Sequence, residues 1–203
     1  TEILKTPKLD WGSAWRDFFT PINVGRFTVL PNWLKDEAAK TPNTPLLIEP
    51  KMAFGTGQHN TTYLCLQGLD LLATENRIKS GQNFLDLGTG SGILGIAASL
   101  LGLSGLGLDI DSVAIDNARE NCLLNRVQNS FQALEGSLYS LKDKSKFDLI
   151  MANIFSKPLM DMAPHLIEFL SPAGTLLLSG ILSEQAPQVI EAYQAQGLSR
   201  PQI

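Results

Sequence analysis

The run Asp86-Leu87-Gly88-Thr89-Gly90-Ser91-Gly92 constrains the fold of this chain more than any other segment. It closes a short apolar stretch, Phe84–Leu87, and opens a helical pattern in which Ile93, Ile96, Ala97, Leu100 and Leu101 recur on one face. Glycines at that junction let the backbone turn sharply and let a ligand come close to main-chain atoms. A second apolar stretch, Leu106–Ile110, follows, and Asp109 lies 21 residues after Gly88. Further on come a helix from Asp111 or Ser112 to Leu124, strands at Phe131–Leu134 and Phe147–Asn153, and a helix near Leu159–Leu170. A turn at Pro172-Ala173-Gly174, a strand at Thr175–Leu178 and a helix over Ser183–Gln196 complete the pattern. Strands that alternate with helices predict βαβ units, hence an α/β fold with a doubly wound, mostly parallel sheet covered on both faces.

One competing reading falls to the glycines. Leu87–Leu108 carries no charge over 22 residues, long enough to span a membrane. Seven glycines sit at both ends of a short apolar helix within it, which fits strand, turn, helix, turn and strand better than one spanning helix. No membrane partner is expected. The start, TEILKTPKLDW, lacks the apolar core of a signal peptide, and Cys65 and Cys122 read as buried thiols of a reducing cytosol. Two cysteines supply neither a disulfide framework nor a zinc site, and no metal is expected. The net charge of −4 argues against a protein held on nucleic acid by bulk charge.

The front differs in composition. Six of the eleven prolines fall in the first 50 residues, and none lies between Lys51 and Lys157. Residues 1–50 are therefore expected as a proline-rich linker and front segment, with an extended piece at Arg26–Leu30 and a short docked helix carrying Trp11, Trp15, Phe18 and Phe19. Residues 51–203 are expected to be the ligand-binding domain. It begins with an uncharged loop, Phe54-Gly55-Thr56-Gly57-Gln58-His59-Asn60-Thr61-Thr62, ahead of an apolar helix that Thr61 or Thr62 could cap.

Asp86 discriminates between ligands. Gly90–Gly95 also satisfies the dinucleotide pattern, with an acid at the second strand end to meet a ribose. A carboxylate two residues before the first glycine repels a pyrophosphate but attracts the ammonium of S-adenosylmethionine. The order acidic-x-Gly-x-Gly-x-Gly thus favours S-adenosylmethionine over a nicotinamide cofactor, with a ligand-free turn as the bland alternative. Asn153 ends an apolar strand at the carboxyl edge of the sheet, where such folds bind ligands. It serves there either as an acceptor near a transferred methyl or as a helix cap. His59 is a candidate base or a structural histidine, and His165 reads as structural.

The segments AFGTGQHNTT (53–62), FLDLGTGSGILGIAA, GLDIDSVAIDNARENCLLN, ANIFSKPL and LSGILSEQ together resemble the PrmA family, which methylates the large-subunit ribosomal protein eleven. DWGSAWRDFFTP and VGRFTVLPNW extend the resemblance over nearly the whole chain. The resemblance implies a Rossmann-like class I methyltransferase fold, a cytoplasmic enzyme and transfer of methyl groups from S-adenosylmethionine to amino groups of that protein. It implies cofactor contacts at Thr62, Gly88, Asp109 and Asn153, with Phe54, Gly57 and Thr61 in the same matched loop. Asp86 and Gly90 join them on chemical grounds, and Asn153 is expected to position the substrate amine. It also implies an N-terminal recognition domain that is absent here, and an incomplete sheet edge, because only Leu198–Ile203 follows Gly197. Methylation of another protein or a small amine, a nicotinamide-dependent oxidoreductase and a non-catalytic S-adenosylmethionine-binding module remain the alternatives.

Overall fold

The computed structural model describes residues 19–51, 55, 59–142 and 145–203. The expected helix around Trp11, Trp15 and Phe18 lies outside them, as do Phe54 and Gly57. Two sheets organise the chain. The front sheet holds β1 (Ile22–Val24), β2 (Phe27–Pro31) and β3 (Thr44–Ile48). β1 runs antiparallel to β2 across a tight turn at Gly25, and β2 pairs with β3 in parallel through a 3-10 segment, Asn32–Lys40. The main part follows as α1 (Asn60–Thr74), β4 (Asn83–Leu87), α2 (Ile93–Leu100), β5 (Ser104–Asp109), α3 (Ser112–Leu124) and β6 (Phe131–Glu135). Then come β7 (Phe147–Asn153), α4 (Ser156–Glu168), β8 (Leu170–Ser179) and α5 (Ala186–Gln194).

The five strands of the main sheet lie in the order β6-β5-β4-β7-β8, and every pairing is parallel. Among the described residues the sheet ends at β8. The chain winds outward from β4 to β6 and then crosses to β7 on the other side of β4. That reversal opens a crevice at the carboxyl ends of β4 and β7, the place where open α/β sheets bind ligands.

Side-chain alternation assigns the two faces. On β4, Phe84 joins the apolar cluster formed with α1, α2 and the front sheet, while Leu85 and Leu87 join the opposite cluster with α4 and α5. On β7, Leu149 and Met151 take the first face and Ile150 and Ala152 the second. A period of two then sends Asp86 and Asn153 to the first face, toward α1 and α2. The front segment is part of the same body: Val24, Phe27, Val29, Leu46 and Ile48 are buried in one cluster with Leu66, Leu69 and Phe84.

Several elements start elsewhere than the pattern suggested. α4 begins at Ser156, ahead of the predicted Leu159, because Pro158 falls in its first turn, where a missing N–H leaves no bond unmade. β8 begins at Leu170, with Leu170 opposite Phe147 and Thr175 opposite Leu149. The predicted turn at Pro172–Gly174 is thus a bulge carried inside one strand.

Candidate cofactor and substrate crevice

The glycine loop leaves β4 with Gly88, Gly90 and Gly92 all at positive φ (+71°, +54° and +82°). At Gly88 a Cβ would also sit 2.4 Å from the Ile154 side chain, so neither the backbone nor the space accepts a larger residue. Four of the loop amides are engaged internally. Gly88 and Thr89 donate to the Leu108 carbonyl at 2.8 and 3.0 Å, and Gly92 donates to the Thr89 carbonyl at 2.8 Å. Gly90 donates to Asp109 Oδ2 at 2.9 Å. A phosphate cradle needs such amides turned outward. This loop instead uses them to hold its own shape beside carboxylates.

Those carboxylates occupy different places. Asp86 is 1% exposed and lies under the loop. Its Oδ2 accepts from Thr89 Oγ at 2.6 Å and from the Gly95 amide at 3.1 Å. Burial pushes its acid up to about 6, against the lowering effect of those two bonds, and the charge of Asp109 adds to the rise. Asp86 thus anchors the loop from beneath as a buried carboxyl. Asp109, at the end of β5, is half-buried, and its Oδ1 accepts from the Asp111 amide at 3.1 Å. Each of its oxygens can accept a further hydrogen bond. Asp111, and not Ser112, caps α3, accepting from the Val113 amide at 2.9 Å.

The opposite wall is the first turn of α1. His59 is its N-cap, where Thr61 or Thr62 had been expected. His59 Nδ1 accepts from the Thr61 amide at 3.3 Å and lies 2.8 Å from Thr61 Oγ. An accepting Nδ1 places the ring proton on Nε2 and commits Nδ1 to the cap. With the helix started at Asn60, Thr62 turns inward and is fully buried. Asn153 Nδ2 donates to Thr62 Oγ at 3.4 Å, and Asn153 Oδ1 is buried with no hydrogen-bond partner among the described residues. The cap of α4 is Phe155, so Asn153 does not serve as one.

The sequence reading missed two neighbours. Ser179 pairs with Asn153 across β7 and β8, and its hydroxyl donates to the Thr61 carbonyl at 3.3 Å. Cys65 lies one turn along α1 and also bonds to Ser179; burial pushes its thiol up to about 12, so it stays neutral. Ser179 ends a strand before Gly180, as Asn153 ends one, and that parallel was its available signal. His165 lies apart, packed edge-on against Tyr139 with centroids 5.2 Å apart. Among the described residues no cluster of His, Cys, Asp or Glu could hold a metal ion, and no helix is long and apolar enough to cross a membrane.

An open parallel α/β sheet, a self-satisfied glycine loop flanked by acids and a crevice at the strand ends define the Rossmann-like methyltransferase class. Within that class the chain belongs to the ribosomal protein L11 methyltransferase (PrmA) family, which it matches over residues 1–202. It is 43% identical to the ribosomal protein L11 methyltransferase of Thermus thermophilus, over 93% of this chain and 70% of that one. With the Chloroflexus aurantiacus protein of the same name it shares 40% identity, over 94% of this chain and 64% of the relative. The chain thus spans about two thirds of the length of the curated relatives it matches. The crystal structure of a ribosomal protein L11 methylase from Lactobacillus delbrueckii subsp. bulgaricus superimposes with a TM-score of 0.75 at 33% identity, covering 87% of this chain and 88% of that one.

Proposed function

We propose that this chain binds S-adenosylmethionine and transfers its methyl group to amino groups of the ribosomal protein L11, in the cytoplasm. The observation that carries the reading is the buried Asn153 Oδ1 at the carboxyl end of β7, which has no partner among the described residues. A buried acceptor left unpaired costs about 1–3 kcal/mol. An incoming amine N–H answers that cost and is oriented by it.

The residues fit the cofactor. Asp109 is the partner for two ribose hydroxyls, Gly88 and Gly90 let the backbone approach it closely, and Thr61 and Thr62 form the facing wall. Phe54 and Gly57 belong to the same proposed contact set through the family resemblance. Two carboxylates, Asp86 and Asp109, bond to the loop and the helix it opens. They favour a ligand with ammonium and sulfonium charge over a pyrophosphate, and the occupied loop amides weigh the same way against a nicotinamide dinucleotide. The cofactor supplies an electrophilic methyl on a sulfonium.

Chain residues provide orientation. Asn153 Oδ1 accepts from the substrate amine, and Thr62 Oγ accepts from Asn153 Nδ2 and so fixes the Asn153 amide. A lysine amine, with an ordinary pKa near 10.4, must lose a proton before its lone pair can attack. A dry crevice favours the neutral amine. Catalysis here is mostly positioning, which accounts for large rate effects when reacting atoms are held in line.

Asn153→Ala tests this. Turnover on L11 is expected to fall roughly 100-fold, with affinity for S-adenosylhomocysteine within about fivefold of the parent. Unchanged turnover removes Asn153 from the mechanism. Cofactor binding without turnover on L11 leaves two readings: turnover on another protein or small amine points to a different acceptor, and none on any amine points to a binding module.

A further inference from the structure

β3 presents one edge to β2 and the other to α3. Asn117 and Asn121 on α3 and Asn125 at its C-cap recur every four residues and so share one face. Four helical residues advance about 6 Å, and two strand residues advance about 6.6 Å. Side chains on that face therefore keep step with alternate residues of a strand. Asn125 Oδ1 accepts from the Leu47 amide at 2.8 Å, and its Nδ2 donates to the Leu47 carbonyl at 2.6 Å. Asn121 Oδ1 accepts from the Glu49 amide at 2.8 Å, and Asn117 Nδ2 donates to the Glu49 carbonyl at 3.2 Å. Three side-chain amides do the work of a missing neighbouring strand.

Asn121 differs from the other two. Fully buried, it uses its Nδ2 to reach the glycine loop, donating to the Ser91 carbonyl at 2.9 Å. The Ser91 hydroxyl in turn donates to the Gly55 carbonyl at 2.6 Å. One amide thus joins the end of β3, the loop under the proposed cofactor and, through Ser91, the segment after β3 that carries Gly55.

We infer that Asn121 is a positioning residue for cofactor binding: it holds the Ser91 peptide of the glycine loop in register with the strand that leads to Gly55. The inference rests on the S-adenosylmethionine reading above. The group must offer a donor and an acceptor at once, on a short stem, and asparagine is the residue that does so. Asn125 is the internal control: it makes the same kind of bonds to β3 and also donates to the Asn121 carbonyl at 2.8 Å, but no hydrogen bond among the described residues joins its side chain to Ser91 or Gly55.

The test compares Asn121→Ala, Asn125→Ala and Ser91→Ala in this 203-residue chain, by calorimetric titration with S-adenosylhomocysteine and by thermal melting. Asn121→Ala is expected to weaken binding about tenfold or more, the range for a buried carbonyl left unpaired. Asn125→Ala is expected to melt earlier while its affinity stays within about twofold. Ser91→Ala is expected to weaken binding about fivefold, and the double variant with Asn121→Ala to lose less than the product of the two, as coupled neighbours do. Equal affinities for the folded Asn121→Ala and Asn125→Ala proteins overturn the inference. If Asn121→Ala does not fold, Ser91→Ala decides: unchanged affinity overturns the inference and weakened affinity supports it. A parent chain that does not bind S-adenosylhomocysteine overturns the cofactor reading itself, and the inference with it.

Discussion

The two sheets complete their strands by different means. In the main sheet, β4 is bonded along both edges by backbone, to β5 and to β7. In the front sheet, β3 has backbone on one side and the asparagine face of α3 on the other. Backbone pairing is written into alternating apolar strands and resists change at single side chains. A strand edge finished by side chains depends on three particular residues of one helix. The same helix reaches the glycine loop, so the front sheet and the site share supports that the main sheet does not need.

The largest expected effect tests how little the main sheet yields. Gly105 lies on β5 beside β4, and a Cβ there would stand 2.0 Å from the Phe84 carbonyl oxygen. Relief requires moving backbone in the middle of the sheet. Gly105→Ala is expected to lose about 3 kcal/mol or more in chemical denaturation, at the upper end for overpacking. A loss under about 1 kcal/mol would mean that this sheet adjusts as freely as a surface.

The front sheet offers the matching test. Asn125→Ala leaves both the amide and the carbonyl of Leu47 without their partner. The expected loss is about 2 kcal/mol, since two part-buried backbone groups lose their partner at once. A negligible loss would show that the side-chain edge is ornamental, and the contrast between the sheets would fail.

That contrast also explains what the sequence reveals. Phe84–Leu87, Phe147–Asn153 and the run through Ala114, Ala118 and Cys122 announce their elements, because local period and buried face agree. Asp86 and Asn153 are legible as candidate site residues from their places at strand ends. The inward direction of Asp86 also follows from alternation with Phe84. The front sheet is not legible in the same way. β1 spans three residues and β3 contains a proline, so neither carries a clear period. Asn117, Asn121 and Asn125 look like the polar face of an ordinary helix, and only tertiary packing gives them a strand to bind. Ser179 escapes for a related reason: its role comes from the register of β8 against β7, which the bulge at Pro172–Gly174 sets.

The two sheets differ, finally, in how they bury polarity, and pH separates them. The asparagine face is neutral, whereas the tip of β4 buries a carboxyl whose acid is pushed up to about 6 from the usual 3.8. A raised acid in the folded state means that folding holds the proton more tightly than the unfolded chain does. Ionisation therefore opposes folding: its cost is absent below about pH 4, grows as pH rises through about 6 and stays constant above that. Asp86→Asn keeps an oxygen for Thr89 and Gly95 and removes the charge. Its stability relative to the parent is expected to be near zero at pH 4 and about 3 kcal/mol favourable at pH 8, since the acid moves from 3.8 to about 6 and each pKa unit is worth about 1.4 kcal/mol. Denaturation at both values checks this, and because other carboxyls titrate alike in both proteins their effects cancel in the difference. Asn125→Ala should show no such slope. If S-adenosylhomocysteine affinity also falls in Asp86→Asn while stability rises, the buried charge is kept for the ligand at the expense of the fold. If affinity is unchanged, the carboxylate serves the loop alone, and an amide would have served it better.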